Sequence, residues 1–265
     1  MPDSPHTRLL EQFPSISLAE MDGVKLMNRI DNKYVTDTSM LTLLLSDALA
    51  LGYRVLEVGG KRVNHYNSLY FDTPALKMYT DHQNRRLTRQ KVRTRVYASS
   101  GLTFLEVKRK NNHGRTRKKR MVIPSEAFDD FRAIPEACSF LAEKSDYTAD
   151  MLCPRVTTAF DRITLVNAGL TERLTIDFHL HFHNVASGLD AGLGRAVIIE
   201  LKQDGHAGSR MKQVLLEHRI KPLRVSKYCI GTVLTDPDAK KNRFKQKIKQ
   251  IEKVIHEKIE VQCES

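Results

Sequence analysis

Lys91-Val92-Arg93-Thr94-Arg95-Val96-Tyr97-Ala98-Ser99-Ser100-Gly101-Leu102-Thr103-Phe104-Leu105-Glu106-Val107-Lys108-Arg109-Lys110 reads as two charged stripes joined by a turn. Side chains of a strand alternate between faces, so Lys91, Arg93 and Arg95 share one face of the first strand. Glu106, Lys108 and Lys110 share one face of the second, with like-facing residues about 7 Å apart. A connection as short as Ser99-Ser100-Gly101 makes the two strands antiparallel neighbours. A third stripe, Arg29, Asp31 and Lys33, lies in the strand expected from Met27 to Val35. Several such stripes in one chain suggest a sheet face built to hold something highly anionic.

Outward from this hairpin the same reasoning gives further strands at Tyr53 to Val58, Val63 to Asp72, Arg115 to Ile123, Arg155 to Val166, Leu170 to Phe182 and Arg195 to Lys202. Asp37, Thr38 or Ser39 can cap a helix through Leu41, Leu44, Leu45 and Ala48 that Gly52 ends. Pro74 opens a short helical turn, Pro124 begins a helical stretch through Phe131, and Pro135 starts a helix to about Tyr147. Helices are also expected from Ser209 to Arg219 and from about Ser226 to Leu234. Eight or nine strands without βαβ alternation predict an α+β fold: an antiparallel β-barrel surrounded by helices. Residues 1–17 read as an exposed lead and 18–235 as the body. Residues 239–258 hold eight Lys or Arg and two Glu, with Phe244, Ile248, Ile251, Ile255 and Ile259 at helical spacing. That makes 236–265 a basic amphipathic helix, read as packed on the body in preference to docking on a membrane or partner.

The 265 residues carry a formal charge of +12, which directs attention to polyanions: nucleic acid, anionic lipid, nucleotides or phosphate polymers. No apolar run is long enough to cross a bilayer, and no signal peptide is apparent. Cys138, Cys153, Cys229 and Cys263 are widely separated, which argues for reduced thiols in a cytoplasmic protein and against a zinc ribbon.

If the stripes face the interior of a barrel, their charge must be neutralised by a ligand, because unpaired buried charge is costly. Arg offers bidentate hydrogen bonds to phosphate oxygens and Lys a point charge, an inventory suited to a chain of phosphates. Glu106 and Glu200, each two residues before a lysine on one strand face, are the natural oxygen ligands for Mg²⁺ or Mn²⁺. Asp177, His179, His181 and His183 share a face by simple alternation; a solvent-facing cluster is the preferred reading over a transition-metal site. Gly188, Gly192 and Gly194 read as a flexible connection. Arg115 to Arg120 lack the interleaved aromatic residues of a single-strand binding surface, which makes nucleic acid the weaker reading.

The pieces Arg29-x-Asp31-x-Lys33-Tyr34, Tyr70-Phe71-Asp72-Thr73, Lys91-x-Arg93-x-Arg95-x-Tyr97, Glu106-x-Lys108-x-Lys110, Lys118-x-Arg120, Arg162, Arg173 with Thr175-Ile176-Asp177, Glu200-x-Lys202 and Ser226-Lys227-Tyr228 occur in this order. In this the chain resembles the triphosphate tunnel metalloenzymes, and among them the bacterial polyphosphate polymerase domains similar to the catalytic domain of the vacuolar transporter chaperone (VTC) complex. The resemblance implies a tunnel of eight antiparallel strands in which Lys33, Arg93, Arg95, Lys108, Lys118, Arg162, Arg173 and Lys227 bind phosphate. It places Glu200 at the principal metal position, with Glu106 a second acidic site, and a Mn²⁺ or Mg²⁺ cofactor. It implies ATP or another nucleoside triphosphate and inorganic polyphosphate as partners; the expected location is the cytoplasm, with association at the inner face of the membrane as an alternative, any export requiring a separate membrane protein. Phe160 stands where the family often has Tyr. Hydrolysis of a triphosphate in the same tunnel, and non-catalytic sensing of polyphosphate or nucleotide, are the competing functions.

Overall fold

Charged residues alternating with apolar ones give each strand two faces of opposite character, and the architecture follows from burying the apolar one. The computed structural model describes residues 5–22, 29–205 and 208–263. Eight strands form its main sheet: β1 (Arg29–Asp37), β2 (Asn64–Asp72), β3 (Arg89–Tyr97), β4 (Leu102–Lys110), β5 (Thr116–Ile123), β6 (Cys153–Val166), β7 (Glu172–Asn184) and β8 (Ala196–Asp204). Their order is β5-β4-β3-β2-β6-β7-β8-β1, with every neighbouring pair antiparallel. The expected start of β1 at Met27 and Asn28 lies outside the described residues.

The expected eight antiparallel strands are present, but the wall is not closed by hydrogen bonds. Among the described residues no register joins β5 to β1. Arg117-Lys118-Lys119-Arg120 puts positive charge on both faces of β5, and Thr116 to Arg120 are exposed. Charge of this kind is a common means of keeping an edge strand from pairing.

The apolar faces point away from the enclosed side. Those of β1, β6, β7 and β8, including Tyr34, Ile163, Leu165, Leu174, Ile176, Val197 and Ile199, pack under α1 (Leu41–Ala50) and bury Leu41, Leu44 and Leu45. Those of β2 to β5, including Leu69, Phe71, Val92, Leu105 and Val107, pack with Phe131, Ala137 and Leu141 from α2 (Pro135–Lys144) and the loop before it. Each fully buried Leu, Ile or Phe contributes roughly 1.5–3 kcal/mol, and this drives the charged face to the inside. The expected cap acts one turn earlier: the Asp37 carboxylate accepts from the Ser39 amide at 2.7 Å and caps the 3-10 turn Thr38–Met40, which leads into α1, whose own N-cap, Met40, makes no side-chain hydrogen bond.

Helix α3 (Arg210–Glu217) covers the outside with Met211 and Leu215, and the next helix fills part of the inner face. Helix α4 (Lys227–Thr235) sits against β6 and β7, its buried residues sharing a cluster with Val156, Phe160, Leu180 and Phe182. Gly231 makes that approach possible, since a Cβ there would lie 2.8 Å from Phe182 and 2.9 Å from Val156. Helix α5 (Asn242–Ile255) lays Phe244, Ile251 and Ile255 on the same cluster.

Three expectations are corrected. The N-terminal lead is not an exposed segment: Pro5–Glu11 and Leu18–Asp22 are helical, and Leu10, Phe13 and Ile16 are buried against the sheet's outer layers. The glycine-rich connection contains a strand, Leu189–Gly192, paired with β7 at His181 to His183. The shared face of Asp177 and the histidines is broken by a bulge in the β6–β7 register, where His179 takes φ +51°. Beyond the bulge, Phe182 joins the inner cluster while His181 pairs with Asp190 at 3.2 Å on the outer surface.

Candidate active site

Register alone brings the inward residues into one array. Arg93 lies opposite Glu106 and Tyr70, Lys91 opposite Lys108, and Arg95 opposite Ser68 and Phe104. On the next strand Lys118 lies opposite Lys108 and Arg120 opposite Glu106. On the other half Arg162 lies opposite Asp177, Lys202 opposite Arg173, and Glu200 between Thr175 and Lys33. By register every expected site residue on a strand therefore lies on the inner face of the sheet, Lys118 on its exposed edge strand. Lys227 arrives separately, on the first turn of α4, which Ser226 caps by accepting from the Cys229 amide.

Three carboxylates anchor this array. Glu106, 1% exposed, accepts from Arg93 Nε at 2.7 Å and Nη2 at 2.5 Å, and it also pairs with Lys118. Burial alone would raise its pKa, but Arg93, Arg95 and Lys118 outweigh that and hold the carboxyl well below the usual range. Asp177 receives Arg162 Nε at 2.5 Å and Nη2 at 2.7 Å, together with Lys227. Burial opposes ionisation there too, and Arg162 and Lys227 overcome it, leaving its pKa depressed. Glu200 has looser company, Lys33 at 3.4 Å and Lys202 at 3.5 Å. Its pKa is likewise well below normal, because Lys202, Lys33, Arg162 and Lys108 outweigh burial.

Among the described residues three further cations, Lys91, Arg95 and Lys108, make no ion pair with a carboxylate. Lys108 forms no ion pair among the described residues. Its pKa is pushed well below that of a free lysine by burial and by Arg93, Lys202 and Lys118, with Glu200 acting the other way. Arg95 donates to the Ser68 hydroxyl at 2.7 Å and Lys91 to the Ser226 hydroxyl at 2.6 Å, both neutral partners. Burial brings Lys227 down to about 8 despite Asp177, with Arg162 and Lys33 adding to the decrease. The rings of Tyr66 and Phe160 stack at 5.4 Å and form a floor. Arg162 lies 5.0 Å from the Tyr66 centroid, Arg95 5.4 Å, and Lys227 4.2 Å from that of Phe160. Both rings offer π-faces to cations, and Phe160 adds no hydroxyl of its own.

Chemically, such a surface is short of negative charge and has rigidly held donors, and it can take a chain of phosphates along its length. For a divalent cation the two expected ligands differ. The oxygens of Glu106 are engaged by Arg93, Lys118 and the Tyr97 hydroxyl at 3.3 Å. Glu200 is held only by long ion pairs and so is free to serve, and a single carboxylate completed by phosphate oxygens and water is a common arrangement for Mg²⁺. Among the described residues no group of three or more His, Cys, Asp and Glu is arranged to hold a metal. Lys91, Lys202, Ser68 and Tyr70 complete the array without having been expected in the site. Lys91 and Lys202 were visible as members of their stripes and Tyr70 as part of the piece Tyr70-Phe71-Asp72-Thr73, whereas Ser68 needed the register.

The VTC domain family matches residues 28–236, most of the chain. The chain belongs to the VTC domain family. The part outside that match includes α5. A solved candidate adenylate cyclase from Bacillus halodurans is similar at TM-score 0.50 and 14% identity, over 76% of this chain and 96% of that one. It shares its fold with this VTC domain protein. HpAC1 from Hippeastrum, described as having a dominant triphosphatase activity, is similar at TM-score 0.48 and 17% identity, over 77% of this chain and 94% of that one. No curated protein matches the VTC domain chain. No helix among its described residues is long and apolar enough to cross a membrane.

Proposed function

We propose that this VTC domain protein is a polyphosphate polymerase that transfers the γ-phosphate of ATP, or of another nucleoside triphosphate, to the end of a phosphate chain. The observation that carries this reading is the pairing of the interior charges. Among the described residues Lys91, Arg95 and Lys108 have no carboxylate in ion-pair contact, which supports a surface prepared for a polyanion. Glu106, Asp177 and Glu200 are all held ionised by cations. Carboxylates so depressed are poor bases for activating water. The end of a phosphate chain is already anionic at neutral pH and attacks without a base, so the arrangement favours phosphate over water as the acceptor.

In this mechanism a terminal oxygen of the chain attacks the γ-phosphorus while the bond from that phosphorus to the β-bridging oxygen breaks, and the nucleoside diphosphate leaves. Arg93 and Arg162, fixed by Glu106 and Asp177, orient donors at the transferred group. Lys33, Lys108, Lys118, Arg95, Arg173 and Lys227 neutralise the charge that two phosphate chains bring together. Glu106 serves here by positioning Arg93 and Lys118, and Glu200 is the residue assigned to a divalent cation, Mg²⁺ or Mn²⁺. When bound, that cation would add positive charge at the phosphates.

The test is incubation of the full chain with ATP and Mn²⁺, followed by gel electrophoresis of the product. A ladder of long polyphosphate is expected. Release of inorganic phosphate without polymer would overturn the polymerase reading and favour a triphosphatase.

A further inference from the structure

The two rows of cations on β3 and β4 do not stop at the reacting section. Beyond Arg93 come Lys91 opposite Lys108, then Arg89 opposite Lys110, where the strands end. The segment entering α4 brings Arg224 to the same place, and Lys247 of α5 donates to the Arg224 carbonyl at 2.6 Å. Arg85, just before β3, adds another exposed cation. Among the described residues none of Arg85, Arg89, Lys110, Arg224 and Lys247 forms an ion pair with a carboxylate.

These groups are close enough to repel one another. Lys247 has a lowered pKa from burial, then from Arg85, Arg224 and Arg89, with Cys229 opposing. Burial and the charges of Arg89 and Arg224 lower that of Lys110. His82 sits beside them with its Nδ1 buried and unbonded. Burial, then Lys91, Arg89, Lys247 and Lys110, bring His82 down to about 2. A folded chain that gathers like charges with no counter-charge has a site that an anion would stabilise.

We propose that Arg85, Arg89, Lys110, Arg224 and Lys247 form a docking strip for a phosphate chain, holding the phosphates that lie beyond the reacting section of the inner face. The strip rests on the polymerase reading for its biological ligand, though not for its capacity to bind. Its spacing favours a linear polyanion: successive rows are about 7 Å apart and continue those of the inner face without a break. Leu87 is exposed beside it, but binding a membrane surface takes a row of such side chains. Through Lys247, α5 gives the VTC domain a second basic surface from outside the matched family region.

The test compares the full chain with the triple variant Arg85→Ala, Arg224→Ala, Lys247→Ala, none of which lies in the reacting section. Affinity is measured for inorganic tripolyphosphate and for long-chain polyphosphate at low and moderate salt. The variant is expected to lose at least about tenfold in long-chain affinity, with a shallower salt dependence, while tripolyphosphate binding changes less than about twofold. Unchanged long-chain binding, or an equal loss for both ligands, would overturn the strip. So would loss of binding to anionic vesicles or duplex DNA with long-chain binding retained. Failure of the polymerase reading looks different: the wild-type protein would make no polymer from ATP, yet the long-chain comparison would still decide the strip.

Discussion

Replacing Glu106 with glutamine keeps the shape of the side chain and removes its charge, which makes it a sharp probe of the inner face. In the structure that carboxylate is 1% exposed and holds Arg93 and Lys118 together. Breaking a buried pair by neutralising one member costs about 3–5 kcal/mol, and because Lys118 is a third exposed the lower end, about 3 kcal/mol, applies. For a chain of this size that corresponds to a fall in Tm of about 6–12 °C. The assay is thermal unfolding in EDTA, with and without tripolyphosphate. A phosphate chain should restore part of the missing negative charge, so the ligand-induced rise in Tm should be larger in Glu106→Gln than in the wild type. If the variant is as stable as the wild type in EDTA and the two respond equally to tripolyphosphate, Glu106 is not a structural counter-ion. Loss confined to metal-dependent turnover would instead restore the metal-ligand role expected from the sequence.

Three further outcomes follow from the same geometry. Glu200→Gln should bind tripolyphosphate in EDTA at least as tightly as the wild type, because a repelling charge is gone, while metal-dependent turnover falls by at least about 100-fold; equal losses in binding and turnover would contradict its assignment. Triphosphate affinity should decline as the pH rises through about 8, the value to which Lys227 is lowered. Between that pH and the higher pKa of an unfolded lysine the unfolded chain holds more protons, so the contribution of Lys227 to ligand-free stability rises over the same window. Calorimetric titration and unfolding at pH 7 to 10 check both signs, and Lys227→Arg should lessen the decline in affinity, the rest coming from Lys118, which burial also lowers to about 8. Gly231→Ala adds a Cβ within 3 Å of Phe182 and Val156, an overpacking cost of about 1–3 kcal/mol partly offset by about 1 kcal/mol of helix propensity. It should shift α4 and weaken triphosphate binding through Lys227; unchanged binding would show that the helix has room to move.

The alternation was readable because physics imposes it twice: the charged residues mark the inside and the apolar ones between them mark the layer under the helices. Phe104-Leu105-Glu106-Val107-Lys108 says both things at once. What the alternation leaves open depends on residues distant in the chain. Glu106 resembles a metal ligand when only Lys108 is in view, and becomes a counter-ion once the register sets Arg93 and Lys118 beside it. Asp177 was part of the family pattern, but its partner Lys227 comes from a helix fifty residues on. Alternation also misled where it was interrupted, since one extra residue at His179 moves the histidines that follow to the outer surface. The Pro and Ser content before Leu18 suggests an exposed segment; Leu10, Phe13 and Ile16, spread among those residues, are what bury it.

A wall joined all round by hydrogen bonds has a fixed girth. Here β5 and β1 stand at the two ends of the sheet order with no register between them among the described residues, so no ladder of hydrogen bonds sets the distance from Lys118 to Lys33. The separation of these two edges can change without breaking a strand pairing, which a closed barrel does not allow.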